Sequence, residues 1–152
     1  MGEPLRVKTE ARYKNLYGDL KNLAIGDFHE LFTICAFIGH KFGKPVALSG
    51  PNKDRDRFWS DTFSQREWAC FRAICLKDGR IAFPDILDER KILAAIEEYA
   101  NGGMIILLNE FLLEYVSEKE GIYFLEDSKI EELPKRFLSY IHDSIGTTGQ
   151  SE

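Results

Sequence analysis

Two segments of this chain are apolar on nearly every side, residues 28–42 and residues 104–115. A helix that is apolar all round lies in the centre of a core or in an interface between subunits. Neither segment belongs to a run of about eighteen apolar residues, the length that a membrane-spanning helix needs. We therefore predict two central helices, and their large apolar surface also makes a homo-oligomer a reasonable expectation.

Signals for helix ends divide the chain into about six helices. Apolar residues at spacings of three and four predict a helix over residues 9–24. Residues 64–67 (SQRE) and 128–131 (SKIE) have the capping-box pattern that opens a helix. Asp27 and Asp88 are predicted N-caps, because their side chains can accept hydrogen bonds from the first helical N–H groups.

Glycine and proline mark the remaining boundaries. The sequence Asn101-Gly102-Gly103 predicts a helix stop that makes the helices on its two sides spatial neighbours. Gly43 is predicted to end the first apolar helix, and Gly39 would let another backbone approach closely. The turn-forming residues of 44–63 predict an irregular segment, and residues 80–83 are predicted to be extended before Pro84.

The predicted fold class is all-α. We expect a single compact helical domain over residues 1–145 and at most one minor β-hairpin. Residues 121–125 are the one short strand that the sequence predicts. The polar residues 146–152 are predicted to form a mobile tail. A chain of 152 residues has the length of one domain. Its 44% hydrophobic and 30% charged residues exclude wholesale disorder.

Charge is divided unevenly along a chain whose net charge is -5. Residues 1–84 carry 14 basic and 10 acidic side chains, whereas residues 85–132 carry 4 and 13. This asymmetry favours a basic partner for the second region or a polyanion for the first. Three cysteines, an odd number, and a start without an apolar stretch predict a cytoplasmic protein without membrane contact.

The residues predict no catalytic site, metal site or cofactor. His29 and His40 would lie about 16 Å apart on one helix, too far to share an ion. The three cysteines lie in apolar helical runs, where a thiol is inert. Asp85, Glu89 and Lys91 spell a nuclease-like string, but acidic residues in a first helical turn are explained by the helix dipole. An unrecognised small nuclease is therefore kept only as an alternative.

The densest basic stretch, residues 41–57, lies beside aromatic residues. Cations next to aromatic rings can contact phosphates and stack bases. A direct DNA-binding module is therefore a second alternative, although an isoelectric point near 5.3 argues against strong generic binding. We predict that the contacting residues would be Lys41, Lys44, Lys53, Arg55, Arg57 and Trp59.

Three stretches of the chain together resemble a known family. Residues 28–41 resemble its "D-x-F-x-F-A-A-x-x-G-x-K" block, and Phe58-Trp59 resembles a short aromatic motif. Residues 97–103 resemble its most distinctive signature, "E-E-Y-A-N-G-G". In these features the chain is similar to the small accessory proteins encoded beside bacterial DNA phosphorothioation (Dnd-type) modification and restriction genes.

The resemblance covers about residues 8–112, and this chain departs from the family by an extra C-terminal piece over residues 117–145. The family offers no catalytic residues. The resemblance therefore implies a non-catalytic accessory or adaptor protein of an anti-phage defence system. It would dock a larger protein of the modification or restriction complex near DNA, and any contact of its own with DNA would be weak or assisted by that partner.

Overall fold

The computed structural model describes residues 3–49, 53–126 and 131–146, and for residues 24–25, 53–57 and 146 it describes the backbone alone. In chain order the strands and α-helices are β1 (Arg6–Glu10), α1 (Lys14–Leu20), α2 (Phe28–Lys41), β2 (Lys53–Trp59), α3 (Gln65–Lys77), α4 (Glu89–Glu110), β3 (Val116–Lys119), β4 (Ile122–Leu125) and α5 (Leu133–Ile141). Short 3-10 or π-helical turns extend several of them.

Helices α2 and α4 pack against each other in the middle of the molecule, at a distance that only glycine permits. A Cβ atom at Gly39 would lie 2.0 Å from the carbonyl oxygen of Tyr99, and one at Gly103 would lie 1.7 Å from that of Cys35. Later residues of α2 meet earlier residues of α4, so the two helices are antiparallel. The close approach predicted at Gly39 is confirmed, and Gly43 follows the helix end with a φ of 60°.

Helix α4 continues through Asn101-Gly102-Gly103, where the sequence predicts a stop, and that prediction is wrong. Each glycine inside a helix costs about 1 kcal/mol relative to alanine. Tertiary contacts outweigh this cost, because Gly102 lies against the carbonyl oxygen of Lys44 and Gly103 against α2. The Asn101 amide also donates to the Val46 carbonyl oxygen at 3.2 Å. One helix of 22 residues therefore replaces the two that the sequence predicts.

Strands β1 and β2 form an antiparallel pair. The prediction that residues 44–63 are irregular is therefore wrong over β2, whereas the helix predicted over residues 9–24 is confirmed except that its first two residues belong to β1. Arg6 pairs with Trp59 and Val7 with Phe58, and the register shifts between Val7 and Thr9. Val7 is fully buried, and the ring of Phe58 lies against the core. Burial of this face, rather than local propensity, explains why the strands form.

Strands β3 and β4 form a hairpin whose second strand confirms the strand predicted over residues 121–125. The turn between them has positive φ at Glu120 (55°) and Gly121 (81°), as tight hairpin turns require. The hairpin packs on the segment that leads into α1, with the Tyr123 ring 5.7 Å from that of Tyr13. The prediction of a predominantly helical fold is confirmed, and its finer points are corrected: the described residues form five α-helices rather than about six, and two strand pairs rather than at most one hairpin.

The predicted helix starts are largely confirmed where the structure describes them. Ser64 and Glu67 form the complete capping box at the start of α3. Asp88 accepts from two backbone N–H groups of the first turn of α4. Asp27 occupies the N-cap position of α2, but its side chain makes no capping bond. Most of the box predicted at 128–131, like nearly all of the predicted tail, lies outside the described residues.

A cluster of aromatic rings joins α2, β2 and α3. The Phe63 ring lies 5.6 Å from Phe32, 5.4 Å from Phe58 and 5.0 Å from Phe71, centroid to centroid. The pairs with Phe58 and Phe71 are edge-to-face and the pair with Phe32 is tilted, and aromatic pairs of this kind stabilise a core beyond the area they bury. The apolar residues of α2 thus find partners within the chain, and the homo-oligomer stays a prediction.

Candidate functional site

The six predicted nucleic-acid residues lie on two structural elements and the loop between them. Lys41 ends α2 and Lys44 follows three residues later. Lys53, Arg55 and Arg57 are on the backbone of β2, and their side chains lie outside the described part of the structure. Trp59 ends β2 with its side chain 48% exposed.

Lys41 and Trp59, whose side chains are described, lie at different places on the fold. Phe58, the neighbour of Trp59, packs against Phe32 with centroids 5.6 Å apart. Phe32 precedes Lys41 by nine residues on α2, which is about 14 Å along the helix axis. The seven residues of β2 extend over about 20 Å. Lys41 therefore lies about two and a half helical turns beyond the contact between α2 and the end of β2.

One partner of Trp59 escaped the sequence prediction. The Arg6 guanidinium carbon lies 4.2 Å from the centroid of the Trp59 ring, because the two residues are paired across β1 and β2. An Arg stacked on an exposed indole offers a cation and a flat ring at one place on the surface, the combination that favours single-stranded nucleic acid. No local signal in the sequence links residues so far apart.

A polar network connects the end of α2, the turn after α3 and the middle of α4. The Tyr99 hydroxyl donates to the Asp78 carboxylate at 2.6 Å, and His40 Nδ1 lies 2.9 Å from the same oxygen. The hydrogen bond from Tyr99, followed by that from His40, lowers the pKa of Asp78. Arg80 pairs with Glu98 beside it. This network holds three elements together, and sequence reasoning did not anticipate it.

His29, for which the sequence predicts no metal site, lies in a cluster of potential metal ligands. Ligand atoms of Asp27, His29 and Glu30 lie within 4.8 Å of one another. These residues form the first turn of α2, where the helix dipole by itself favours acidic groups and disfavours a cation. His29 Nδ1 is 3.3 Å from the Glu67 carboxylate, which also accepts from Thr33 at 2.6 Å. The arrangement is therefore explained as a helix-start network.

The three cysteines differ in exposure. Burial raises the pKa of Cys35 to about 12 and that of Cys75 to about 11, as expected for inert thiols in apolar surroundings. Cys70 is half-buried and lines a groove together with His40 and Asp78. Cys70 precedes Asp78 by eight residues, about 12 Å along a helix. His40 and Asp78 contact each other, and Asp78 also accepts the hydrogen bond from Tyr99.

The nuclease-like string does not converge on one point. Asp85 forms an ion pair with Lys91 at 3.1 Å, whereas Glu89 faces Arg72 at 4.0 Å. Asp85 and Glu89 also line two different grooves. A metal-dependent nuclease needs acidic groups that hold an ion jointly. This geometry offers no support for the nuclease alternative.

Among the described residues, the most exposed of the large apolar side chains lie in the short segment that precedes α4. Phe83 is 72% exposed and Leu87 is 78% exposed, and we call this feature the 83–87 ridge. Residues 80–83 are predicted to be extended; the structure has bends at Arg80 and Ile81, an extended backbone at Ala82 and a 3-10 turn that begins at Phe83. Large apolar side chains at a charged surface are typical of protein-interaction sites.

Two grooves flank the 83–87 ridge. One, of about 620 Å³, is lined by Leu5, Leu87 and charged residues at the start of α4. The other, of about 400 Å³, is lined by Ile81, Ala82 and the exposed side of α4 around Ala94. Exposed apolar side chains beside charged residues are the elements from which an interface with an apolar core and a polar rim is built.

The comparisons with known proteins identify no relative. No protein-family model, no curated protein and no solved structure matches this chain. Within the described residues, no helix is both long enough and apolar enough to span a membrane. Inference about function therefore depends on the surfaces described above and on the resemblance in the sequence.

Proposed function

We propose that this protein is a non-catalytic accessory protein of a bacterial DNA modification–restriction system linked to phosphorothioation, and that it docks a larger protein partner through the 83–87 ridge. The observation that carries this proposal is the exposure of Phe83 and Leu87, at 72% and 78%, four residues apart in the segment before α4. Neighbouring large apolar side chains exposed to this extent gain free energy when a partner covers them.

The resemblance of residues 97–103 and 28–41 supports the proposed biological setting. These segments form the α2–α4 contact at the centre of the fold, so a related sequence pattern would specify the same scaffold. The acidic character of residues 85–132 supports a partner with a basic surface, since opposite charges favour encounter. The protein would act in the bacterial cytoplasm, where its three unpaired cysteines remain reduced.

The proposal is tested by affinity capture from the native host. Tagged wild-type protein is compared with the Phe83→Ser/Leu87→Ser variant and with a control, Leu113→Ser/Leu138→Ser, which changes two side chains that are each 58% exposed elsewhere. We expect an enzyme of a DNA modification or restriction complex to be enriched by wild type and by the control, and to be lost from the ridge variant. Equal recovery by all three proteins, or recovery of no such enzyme, would contradict the proposal.

Direct DNA binding is a second candidate, and the stacked Arg6–Trp59 pair favours it. We expect weak binding to single-stranded DNA that decreases with salt and with the change Trp59→Ala. The triple change of Lys53, Arg55 and Arg57 to Ala should weaken binding further and reduce the salt dependence. Lys119→Ala is the control. Absence of binding at low ionic strength would reject this candidate.

A further inference from the structure

A third groove, of about 650 Å³, lies between the C-terminal halves of α2 and α3. It shares no lining residue with the two grooves beside the 83–87 ridge. Phe37 of α2, Ile74 of α3 and Ile145 of the last turn supply its apolar surface. Its volume lies within the range of sites that hold a small molecule or a few residues of a peptide.

The charges at this groove favour an anionic ligand. Lys41 and Lys77 line it, together with His40 and Asp78. The Asp78 carboxylate already accepts the Tyr99 hydroxyl and contacts His40, so its negative charge is engaged by its own neighbours. Lys41 donates to the Ser144 carbonyl oxygen. An ammonium group has three N–H donors, and two therefore remain for a ligand.

We propose that this groove binds a peptide segment of the partner protein in which an aliphatic side chain lies between Phe37 and Ile74 and a carboxylate pairs with Lys41 and Lys77. This inference rests on the proposed adaptor function and adds the chemistry of a second contact. Apolar burial supplies the affinity, and the two lysines select an acidic segment over a basic one.

Cys70 makes occupancy of the groove measurable. Its half-buried thiol lines the groove, whereas Cys35 and Cys75 are buried. Burial raises the pKa values of Cys35 and Cys75 to about 12 and about 11, so they react slowly at neutral pH. The rate at which iodoacetamide modifies Cys70, located by mass spectrometry, therefore reports whether a ligand covers the groove.

The test uses the full chain and two fluorescein-labelled peptides, Asp-Leu-Leu-Glu-Leu-Glu and Lys-Leu-Leu-Lys-Leu-Lys. We expect the acidic peptide to bind in fluorescence polarisation and to slow modification of Cys70 about fivefold or more at saturation. The basic peptide should do neither. Lys41→Glu/Lys77→Glu should weaken binding of the acidic peptide by about tenfold, whereas the control Lys119→Glu/Lys135→Glu should leave it unchanged.

Failure of the acidic peptide to bind, or binding that leaves the rate at Cys70 unchanged, would overturn the proposal. If circular dichroism shows that the double charge reversal does not fold, Lys77→Gln replaces it, with an expected weakening of about threefold, and an unchanged affinity counts against the proposal. Peptide binding is measured on the isolated protein and does not involve the 83–87 ridge. The groove can therefore fail while partner capture succeeds, and the converse also holds.

Discussion

The change Gly103→Ala should destabilise the protein far more than the same change at a helical glycine with open space around it. A methyl group at this position would lie 1.7 Å from the Cys35 carbonyl oxygen and 2.5 Å from its carbonyl carbon, whereas real Cβ atoms essentially never come closer than 3.0 Å. The obstacle is the backbone of α2, which cannot rotate away as a flexible side chain can. The helices α2 and α4 must therefore separate by more than about 1 Å.

The size of the effect follows from what this separation disrupts. A gap of about 0.5–1 Å removes a quarter to a half of the dispersion energy of each contact across the interface. The gain in helix propensity from Gly to Ala is about 1 kcal/mol and acts in the opposite direction. Overpacking in a rigid core costs about 1–3 kcal/mol or more. We expect a net loss of at least about 2 kcal/mol, a large part of the total stability of a domain.

The measurement is urea unfolding followed by circular dichroism and tryptophan fluorescence, with Gly18→Ala as the matched control. Gly18 lies inside α1 and a Cβ atom there would meet no other atom within 4 Å. We expect the control to raise the unfolding free energy by about 0.5–1 kcal/mol. If Gly103→Ala were as stable as wild type or as the control, glycine would not set the distance between α2 and α4.

Three further changes test the local interactions. Asn101→Ala should lower the unfolding free energy by about 1 kcal/mol, since it removes the hydrogen bond to the Val46 carbonyl oxygen while improving helix propensity; unaltered urea unfolding would refute this. Ser64→Ala should cost about 1 kcal/mol by removing half of the capping box, measured by thermal denaturation, and Ser64→Asp should restore most of it. Tyr99→Phe should make the free energy of unfolding depend less steeply on pH in the acid range. The hydrogen bond from Tyr99 is the main cause of the lowered pKa of Asp78. A carboxyl group whose pKa is lower in the folded than in the unfolded protein stabilises the fold above its unfolded pKa of about 4. This stabilisation is lost as the pH falls through the folded pKa. An identical slope in wild type and variant between about pH 5 and about pH 2 would contradict this reading.

Local patterns predicted most of the helices and their starts. The boundaries of α2 differ from the predicted 28–42 by one residue, because an all-apolar segment with a glycine stop has one stable solution. Ser64 and Asp88 cap their helices as expected, because a cap depends on residues at most three positions away. In the candidate site, the six residues chosen from the sequence stay a prediction, and the contact between Arg6 and Trp59 could not be foreseen because it depends on the pairing of β1 with β2.

The amino-acid sequence by itself determined a mainly helical chain, the position of its most apolar helix, its uneven charge and several helix caps. Tertiary structure alone decided that α4 continues through Gly102 and Gly103, that β1 pairs with β2 and that Phe83 and Leu87 stay exposed. The physical reason is the range of the interactions involved. A cap or a helical period acts within a few residues, whereas a glycine contact, a strand ladder or the covering of a side chain depends on partners distant in the chain.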